Sequence, residues 1–215
     1  MKWFKLIIVL LLCAVAILAF VAWRGTLTMR QGMADCLIWQ AASLADRFSI
    51  DEENNHELVA EINEYAQRIA HGIDPVITGF EVLRSFYDGP LLLALLHTSL
   101  INRIDRIEAP EAFDRKNFSM VSLQFFLGVK SGKIADADWQ KVRSLLMEQR
   151  ICETESSIGF VIPEQVESFR KKISFQALSD CLALMDQASS NAPPVAEQAI
   201  LDPVLELKKV LTAAR

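Results

Sequence analysis

The stretch FKLIIVLLLCAVAILAFVAW, residues 4–23, decides the architecture of this chain. After Lys5 it holds about 18 consecutive residues without a charge, which is the length that a helix needs to cross the hydrocarbon core of a bilayer. Trp3 and Trp23 stand at its two ends, where aromatic rings favour the headgroup level. The sequence therefore predicts a transmembrane segment through residues 4–23, anchored in lipid by these side chains: Trp3, Phe4, Leu6, Ile7, Ile8, Val9, Leu10, Leu11, Leu12, Ile17, Leu18, Phe20, Val21 and Trp23.

Two other interpretations of residues 1–24 stay open. A cleaved secretory signal would use Ala14-Val15-Ala16 as its small-x-small site, but cleavage there would leave the apolar residues 17–23 on the mature chain. A buried helix of a soluble protein is seldom apolar over such a length. We therefore predict an uncleaved signal-anchor over residues 1–24.

The charges that flank the apolar run indicate its orientation. Lys2, Lys5 and the terminal amine precede the run, and Arg24 and Arg30 follow it. Because cytoplasmic flanks carry the excess of Lys and Arg, this small bias favours a cytoplasmic N terminus. We expect a single-pass protein of the cell membrane whose remaining chain lies outside the cytoplasm, in the periplasm if the cell is Gram-negative.

Charge and cysteine content narrow the choice of partners. Three of the 22 basic residues but none of the 27 acidic ones lie in residues 1–24, so the rest of the chain carries a net charge near −8. Such a surface argues against nucleic acid as a partner, since nucleic-acid binding requires a basic face. The sequence contains no CxxC motif, which would indicate a zinc site or a redox centre. Whether Cys36, Cys152 and Cys181 form a disulfide stays open, because three thiols allow at most one bridge.

The chain beyond the anchor has helical periodicity throughout, and we predict an all-α protein in which the transmembrane helix is followed by a bundle of about six or seven helices. Residues 25–50 read as a juxtamembrane stalk helix, residues 51–188 as the bundle, 189–194 as a linker and 195–215 as a C-terminal helix. The first predicted helix after the stalk begins near residue 51, and Asp51 caps its N terminus. Further helices are predicted at 76–87, 91–108, 112–130, 136–152 and 163–187, and a last one follows Asp202-Pro203.

Residues 91–108 contain the most apolar run outside the anchor, from Leu91 to Leu96. The run is too short to cross a membrane and predicts a buried central helix. We expect the following side chains, which lie on apolar helix faces, to form the core: Leu92, Leu95, Leu96, Phe126, Trp139, Leu145, Phe169 and Leu182.

No catalytic, cofactor-binding or metal-binding residue is predicted. Glu53 and His56 have the spacing of one ExxH step, but a di-iron bundle needs a second such step, which is missing. His71 lies at a predicted helix end, where it complements the helix dipole, and His97 reads as a core residue. Glu57, Glu61 and Glu64 read as a solvated helix face.

These patterns predict a membrane-anchored helical interaction or accessory protein that docks on a protein partner, or on a second copy of itself, beside the bilayer. The alternative is a membrane-tethered sensor, in which helices 91–108 and 112–130 enclose a pocket for a small molecule or lipid, lined by Phe118, Phe125 and Phe126. An enzyme is the least favoured class, since the chain has 3 His and 8 Gly with which to build a site.

Overall fold

The computed structural model describes residues 2–48, 50–104, 113–148, 175–191 and 201–215, without the side chains of residues 2–20, 45–47, 147 and 148. Seven helices follow a long first one, and the described ranges contain no strand. The all-α prediction is confirmed. The helices are α1 (Lys2–Phe48), α2 (Glu52–Ala70), α3 (Val76–Ser85), α4 (Pro90–Ile104), α5 (Arg115–Lys130), α6 (Asp136–Glu148), α7 (Phe175–Ser190) and α8 (Pro203–Ala214).

Helix α1 is continuous over 47 residues, from the apolar run into the bundle. Its C-terminal half buries one face, made of Ala34, Leu37, Ala41, Leu44 and Phe48, whose three-to-four spacing places them on one side of a helix. This face packs chiefly on α2, and on α3 and α4 as well. Because a short connection joins α1 to α2, the two helices run antiparallel. Residues 33–48 of the predicted stalk segment are therefore part of the core.

Helix α4 is the central helix, as the sequence predicts. Ten of its fifteen residues are buried, including Leu92, Leu95 and Leu96. It contacts α1, α3, α5 and α8, and so joins the two groups of helices around it. One group is α1, α2, α3 and α8, and the other is α5, α6 and α7.

The remaining core predictions fall on the second group. Phe126 and Trp139 are buried, with their ring centroids 6.3 Å apart. Leu145 and Leu182 are partly buried against the core. Phe169 lies outside the described residues.

Three of the helices are capped at their N termini by aspartates, whose side chains accept hydrogen bonds from backbone N–H groups. The carboxylate of Asp51 accepts from Asn54 at 2.9 Å, that of Asp114 from Asn117 at 2.9 Å, and that of Asp202 from Val204 at 2.8 Å. Helix α7 extends to Ser190, so the first two positions of the predicted linker are helical, and residues 192–194 lie outside the described part.

The side chains described for α1 begin at Val21, so most of the predicted anchor lies outside them. Among the residues whose side chains are described, no helix has both the length and the apolar character needed to cross a bilayer. Val21 and Trp23, the two anchor positions that are described, are both exposed.

Candidate membrane-proximal surface

The turn between α2 and α3 is built by a helix-ending motif. Gly72, with φ of 74°, donates to the carbonyl of Ile69 at 2.9 Å, and Ile73 donates to the carbonyl of Arg68 at 2.8 Å. This is the Schellman pattern, which requires the left-handed conformation that glycine adopts without cost. The ring Nδ1 of His71 lies 2.7 Å from the carbonyl oxygen of Gln67, so His71 caps the helix end as predicted.

An ion pair inside the same turn holds it rigid. The guanidinium of Arg68 binds the carboxylate of Asp74 through two hydrogen bonds, of 2.6 and 3.0 Å. Asp74 is buried, and its hydrogen bonds from Arg68 hold the pKa of this carboxyl below its ordinary value. Tyr65 adds a third tie, because its hydroxyl lies 2.6 Å from that of Thr78 on α3.

The turn and the start of α3 pack against α1 just beyond the apolar run. The guanidinium of Arg30 occupies the space where a Gly72 side chain would lie. A Cβ at Gly79 would lie 2.6 Å from the Cγ of Met33, so a larger residue there would force the Met33 side chain or α3 to shift. These two contacts place the turn at the level of Arg30 and the first half of α3 at the level of Met33.

Exposed large apolar side chains are concentrated at this end of the bundle. Seven of the nine that the described residues expose lie on α1 between residues 21 and 29, or on the turn and α3. The other two, Met120 and Leu205, are isolated, as single exposed apolar residues commonly are. We call the seven the exposed apolar surface: Val21, Trp23, Leu27, Met29, Ile73, Ile77 and Phe80.

An open groove of about 440 Å³ lies between the two parts of this surface. Thr26, Met29 and Arg30 line it from α1, and residues 72–76 line it from the turn. The sequence analysis missed Ile73, Ile77 and Phe80. Ile77 and Phe80 are three residues apart on α3 and Ile73 lies in the turn before it, but the other faces of α3 are apolar too, so the pattern did not show which face would stay exposed.

A second groove, of about 410 Å³, lies at the far end of the bundle between α4, α5 and α6. Asp88, Lys130 and Arg143 give it charged walls, while Leu93 and Trp139 form part of its apolar lining. The hydroxyl of Tyr87, next to Asp88, donates to Oε1 of Gln40 on α1 at 3.2 Å. Gln40 is seventeen residues beyond Trp23, about 25 Å along a helix, so this distal groove is remote from the apolar run.

The aromatic residues of the predicted ligand pocket are buried in the core, and two of them pack against each other. Phe118, Phe125 and Phe126 are fully buried, and the ring centroids of Phe125 and Phe126 are 5.6 Å apart in an edge-to-face arrangement. None of the three lines either groove.

The acidic face of α2 has a partner that was not predicted. Nζ of Lys208 lies 2.7 Å from Glu57 and 3.4 Å from Glu61, and Arg215 lies 3.5 Å from Glu64. This acidic face of α2 is partly exposed, but α8 also packs against it.

A second buried carboxylate joins α8 to α5. Glu206 accepts from Lys130 and Lys209, each at 2.8 Å. Burial by itself would raise the pKa of Glu206, but hydrogen bonds from the two ammonium groups outweigh it and the pKa is lowered.

Histidine and cysteine positions complete the account of the predicted sites. His97 is half-buried beside Phe126, burial lowers its pKa, and its Nε2 has no hydrogen-bond partner among the described residues. No disulfide joins Cys36 to Cys181, and the side chains of Cys13 and Cys152 lie outside the described residues. Across the described ranges, no three His, Cys, Asp or Glu side chains come together as a metal site would require.

Comparisons with known proteins find no match for the chain among protein-family models, curated proteins or solved structures.

Proposed function

We propose that this chain is a single-pass membrane protein whose helical domain stands on the bilayer and docks there on a protein partner. The observation that carries the proposal is the continuity of α1, which joins the apolar run of residues 4–23 to the core as one helix. A helix that is apolar over about 18 residues matches the hydrocarbon thickness of a bilayer.

Membrane attachment is tested by extracting membranes with alkaline carbonate. The chain and a Leu27→Arg control should stay in the pellet, because Leu27 lies beyond the apolar run. The double variant Leu11→Arg, Leu12→Arg should move to the supernatant, since each central arginine costs about 3 kcal/mol on insertion. Release of the unaltered chain by carbonate would reject the anchor.

The orientation we propose has a cytoplasmic N terminus and the domain outside the cytoplasm. Alkaline phosphatase and green fluorescent protein, fused separately at Arg215, test it. Phosphatase activity without fluorescence supports this orientation. Fluorescence without phosphatase activity would place the domain in the cytoplasm and move the search for partners there.

The distal groove supports the role of docking on a partner. It is open, it combines charged and apolar walls, and it is remote from the apolar run. Interfaces that form and dissociate commonly mix polar and apolar groups in this way. A partner segment that carries both charged and apolar side chains suits this lining. The alternative is a tethered sensor for a small molecule or lipid, but in the described part of the chain neither of the two grooves above is lined by Phe118, Phe125 or Phe126.

The docking role is tested by the size of the assembly that mild detergent extracts from native membranes. We expect the unaltered chain to run larger than a monomer in its micelle, and Gln140→Arg, which places a cation on the groove wall, to reduce that size. Gln176→Arg is the matched control, because Gln140 and Gln176 each donate to an aspartate four residues away on the same helix, but Gln176 lies on α7 outside the groove. A monomeric unaltered chain would contradict the proposal.

A further inference from the structure

We propose that the α2–α3 turn and α3 form a second membrane contact, in which Ile73, Ile77 and Phe80 enter the headgroup region of the bilayer that holds α1. This inference rests on the proposed anchor and adds a lipid-binding surface to it. The surface is one face of α3, where the i, i+3 spacing of Ile77 and Phe80 aligns two side chains on one side of the helix, together with Ile73 of the turn before it.

The contacts with α1 fix the height of this surface above the apolar run. Arg30, against Gly72, is seven residues beyond Trp23, or about 10 Å at 1.5 Å per residue. Met33, against Gly79, is ten residues beyond Trp23, or about 15 Å. The interfacial zone on each side of the hydrocarbon core is about 5–8 Å thick, so an upright α1 would hold the surface slightly above the lipid.

An ordinary helix tilt removes that gap. The outer face of α3 lies about 15 Å from the axis of α1, given packed helix axes 8–10 Å apart and a helix radius near 5 Å. Transmembrane helices tilt by about 20° on average and by up to about 40°. Tilting α1 toward α3 lowers that outer face by about 5–10 Å, which brings Ile73, Ile77 and the Phe80 ring into the interfacial zone.

The rigidity of the turn makes such a contact effective. The Arg68–Asp74 ion pair, the Tyr65–Thr78 hydrogen bond and the packing of Gly79 on Met33 hold the three apolar side chains in place before they meet lipid. Little conformational freedom is then lost on contact, and the strength of binding follows the apolar area that leaves water. Apolar insertion is the driving force, because Asp74 neutralises Arg68 and the chain beyond residue 24 is acidic.

Because the exposed apolar side chains are clustered, contact of this surface with lipid is favoured over contact with water. Contiguous apolar patches on folded proteins mark a membrane or a binding partner, whereas isolated exposed residues do not. The patch on α3 adjoins the exposed Leu27 and Met29 of α1, across the groove described above. The same α1 residues lead directly into the apolar run, so the bilayer is the apolar phase nearest to the patch.

Photocrosslinking of the purified full-length chain in phosphatidylcholine nanodiscs tests this inference. Benzoylphenylalanine is placed at one position at a time: Phe80→benzoylphenylalanine in the patch and Met120→benzoylphenylalanine on α5 as the control. The two native side chains are matched in exposure, at 53% and 49%. Leu18→benzoylphenylalanine reports on the anchor itself, and adducts are identified by mass.

We expect lipid adducts at positions 18 and 80, with a yield at 80 several-fold above that at 120. A lipid adduct at 18 with none at 80 would overturn the inference and leave the anchor intact. Absence of lipid at 18 would reject the anchor. An adduct between two chains at position 80 would make the patch a self-association surface and would also overturn the inference. Ile77→benzoylphenylalanine, at a side chain 66% exposed, repeats the test at a second site.

Discussion

The two halves of α1 whose side chains the structure describes lie in opposite environments, one exposed and one packed against other helices. Residues 21–29 expose Val21, Trp23, Leu27 and Met29, while residues 33–48 bury an apolar face against α2, α3 and α4. Their sequences are similarly apolar, so composition does not separate them. The difference lies in whether other helices reach that level of α1. The α2–α3 turn marks the boundary, because it meets α1 at Arg30 and nothing that is described covers the helix below it.

The largest expected effect comes from shortening a leucine in each half. Leu37→Ala should lower the free energy of unfolding by about 3 kcal/mol, since it opens a cavity at a fully buried side chain. Leu27→Ala should change it by less than about 0.5 kcal/mol, because Leu27 is exposed. Denaturant unfolding of the full chain in detergent, followed by circular dichroism, measures both. Equal losses would show that the exposed half also packs on protein.

The boundary itself is tested at the buried carboxylate of the turn. Asp74→Ala should cost about 1–3 kcal/mol, because it removes a bidentate pair whose acidic partner is buried. Asp88→Ala is the control, since its pair with Arg84 is 3.8 Å long between exposed side chains and should contribute less than about 0.5 kcal/mol. A similar small loss in both variants would mean that the turn is not held by its ion pair.

The same carboxylates give the stability of the chain a pH dependence. The folded-state pKa values of Asp74 and Glu206 lie below their ordinary values of 3.8 and 4.5. Each therefore stabilises the fold above its ordinary value, and this contribution is lost as the pH falls through the lowered folded-state pKa. We expect the melting temperature to fall below about pH 4.5, and to fall less steeply in Asp74→Asn and Glu206→Gln. An unchanged slope in both variants would contradict this origin.

Two hydrogen bonds of α1, one buried in its packed half and one exposed next to the boundary at Arg30, give a smaller contrast. Tyr87→Phe removes the donor to buried Gln40 and should cost about 1 kcal/mol. Gln31→Ala removes an exposed bond to Asp35 of similar length, 2.9 Å, and should cost less than about 0.5 kcal/mol. Thermal melts of the two variants under identical conditions provide the comparison. A larger loss for Gln31→Ala would place a partner on the exposed half.

The smallest expected effects come from two glycines at the boundary. Gly32→Ala should stabilise the chain by about 0.5–1 kcal/mol, because it lies inside a helix and a Cβ there meets nothing within 4 Å. Gly72→Ala should destabilise it by about 1 kcal/mol, since it combines a positive φ with the Arg30 side chain. Chemical denaturation distinguishes the signs. Destabilisation by Gly32→Ala would indicate that α1 bends at this position.

Local signals in the sequence predict most of the helix limits. Asp51 and Asp202 act through N–H groups two or three residues away, and Gly72 ends α2 through its own φ, whereas α5 begins at Arg115 after the cap Asp114, three residues later than predicted. The central position of α4 also follows from its sequence, since an apolar run that is too short for a membrane must be covered by several helices. These features need no knowledge of distant parts of the chain.

The features that the sequence did not predict depend on distant partners. Glu57 and Glu61 read as solvated because their counterion, Lys208, is 151 positions from Glu57 along the chain. Ile77 and Phe80 remain exposed because Gly79 turns the opposite face of α3 toward Met33. Tertiary packing, and not periodicity, decides which apolar face of a short helix is buried.

The position of α8 has a consequence for the order in which the chain folds. Helix α8 covers parts of α2, α3 and α4. Its Lys208 donates to Glu57 of α2, which is 151 positions away along the chain. The apolar faces beneath it, together with Glu206 and its two lysines, cannot be completed until those residues have been synthesised. Contacts of such long sequence separation slow folding and leave earlier elements exposed in the interval. We therefore expect a chain truncated before Asp202 to be more susceptible to proteolysis and aggregation, even though α1 and α2 form from neighbouring residues.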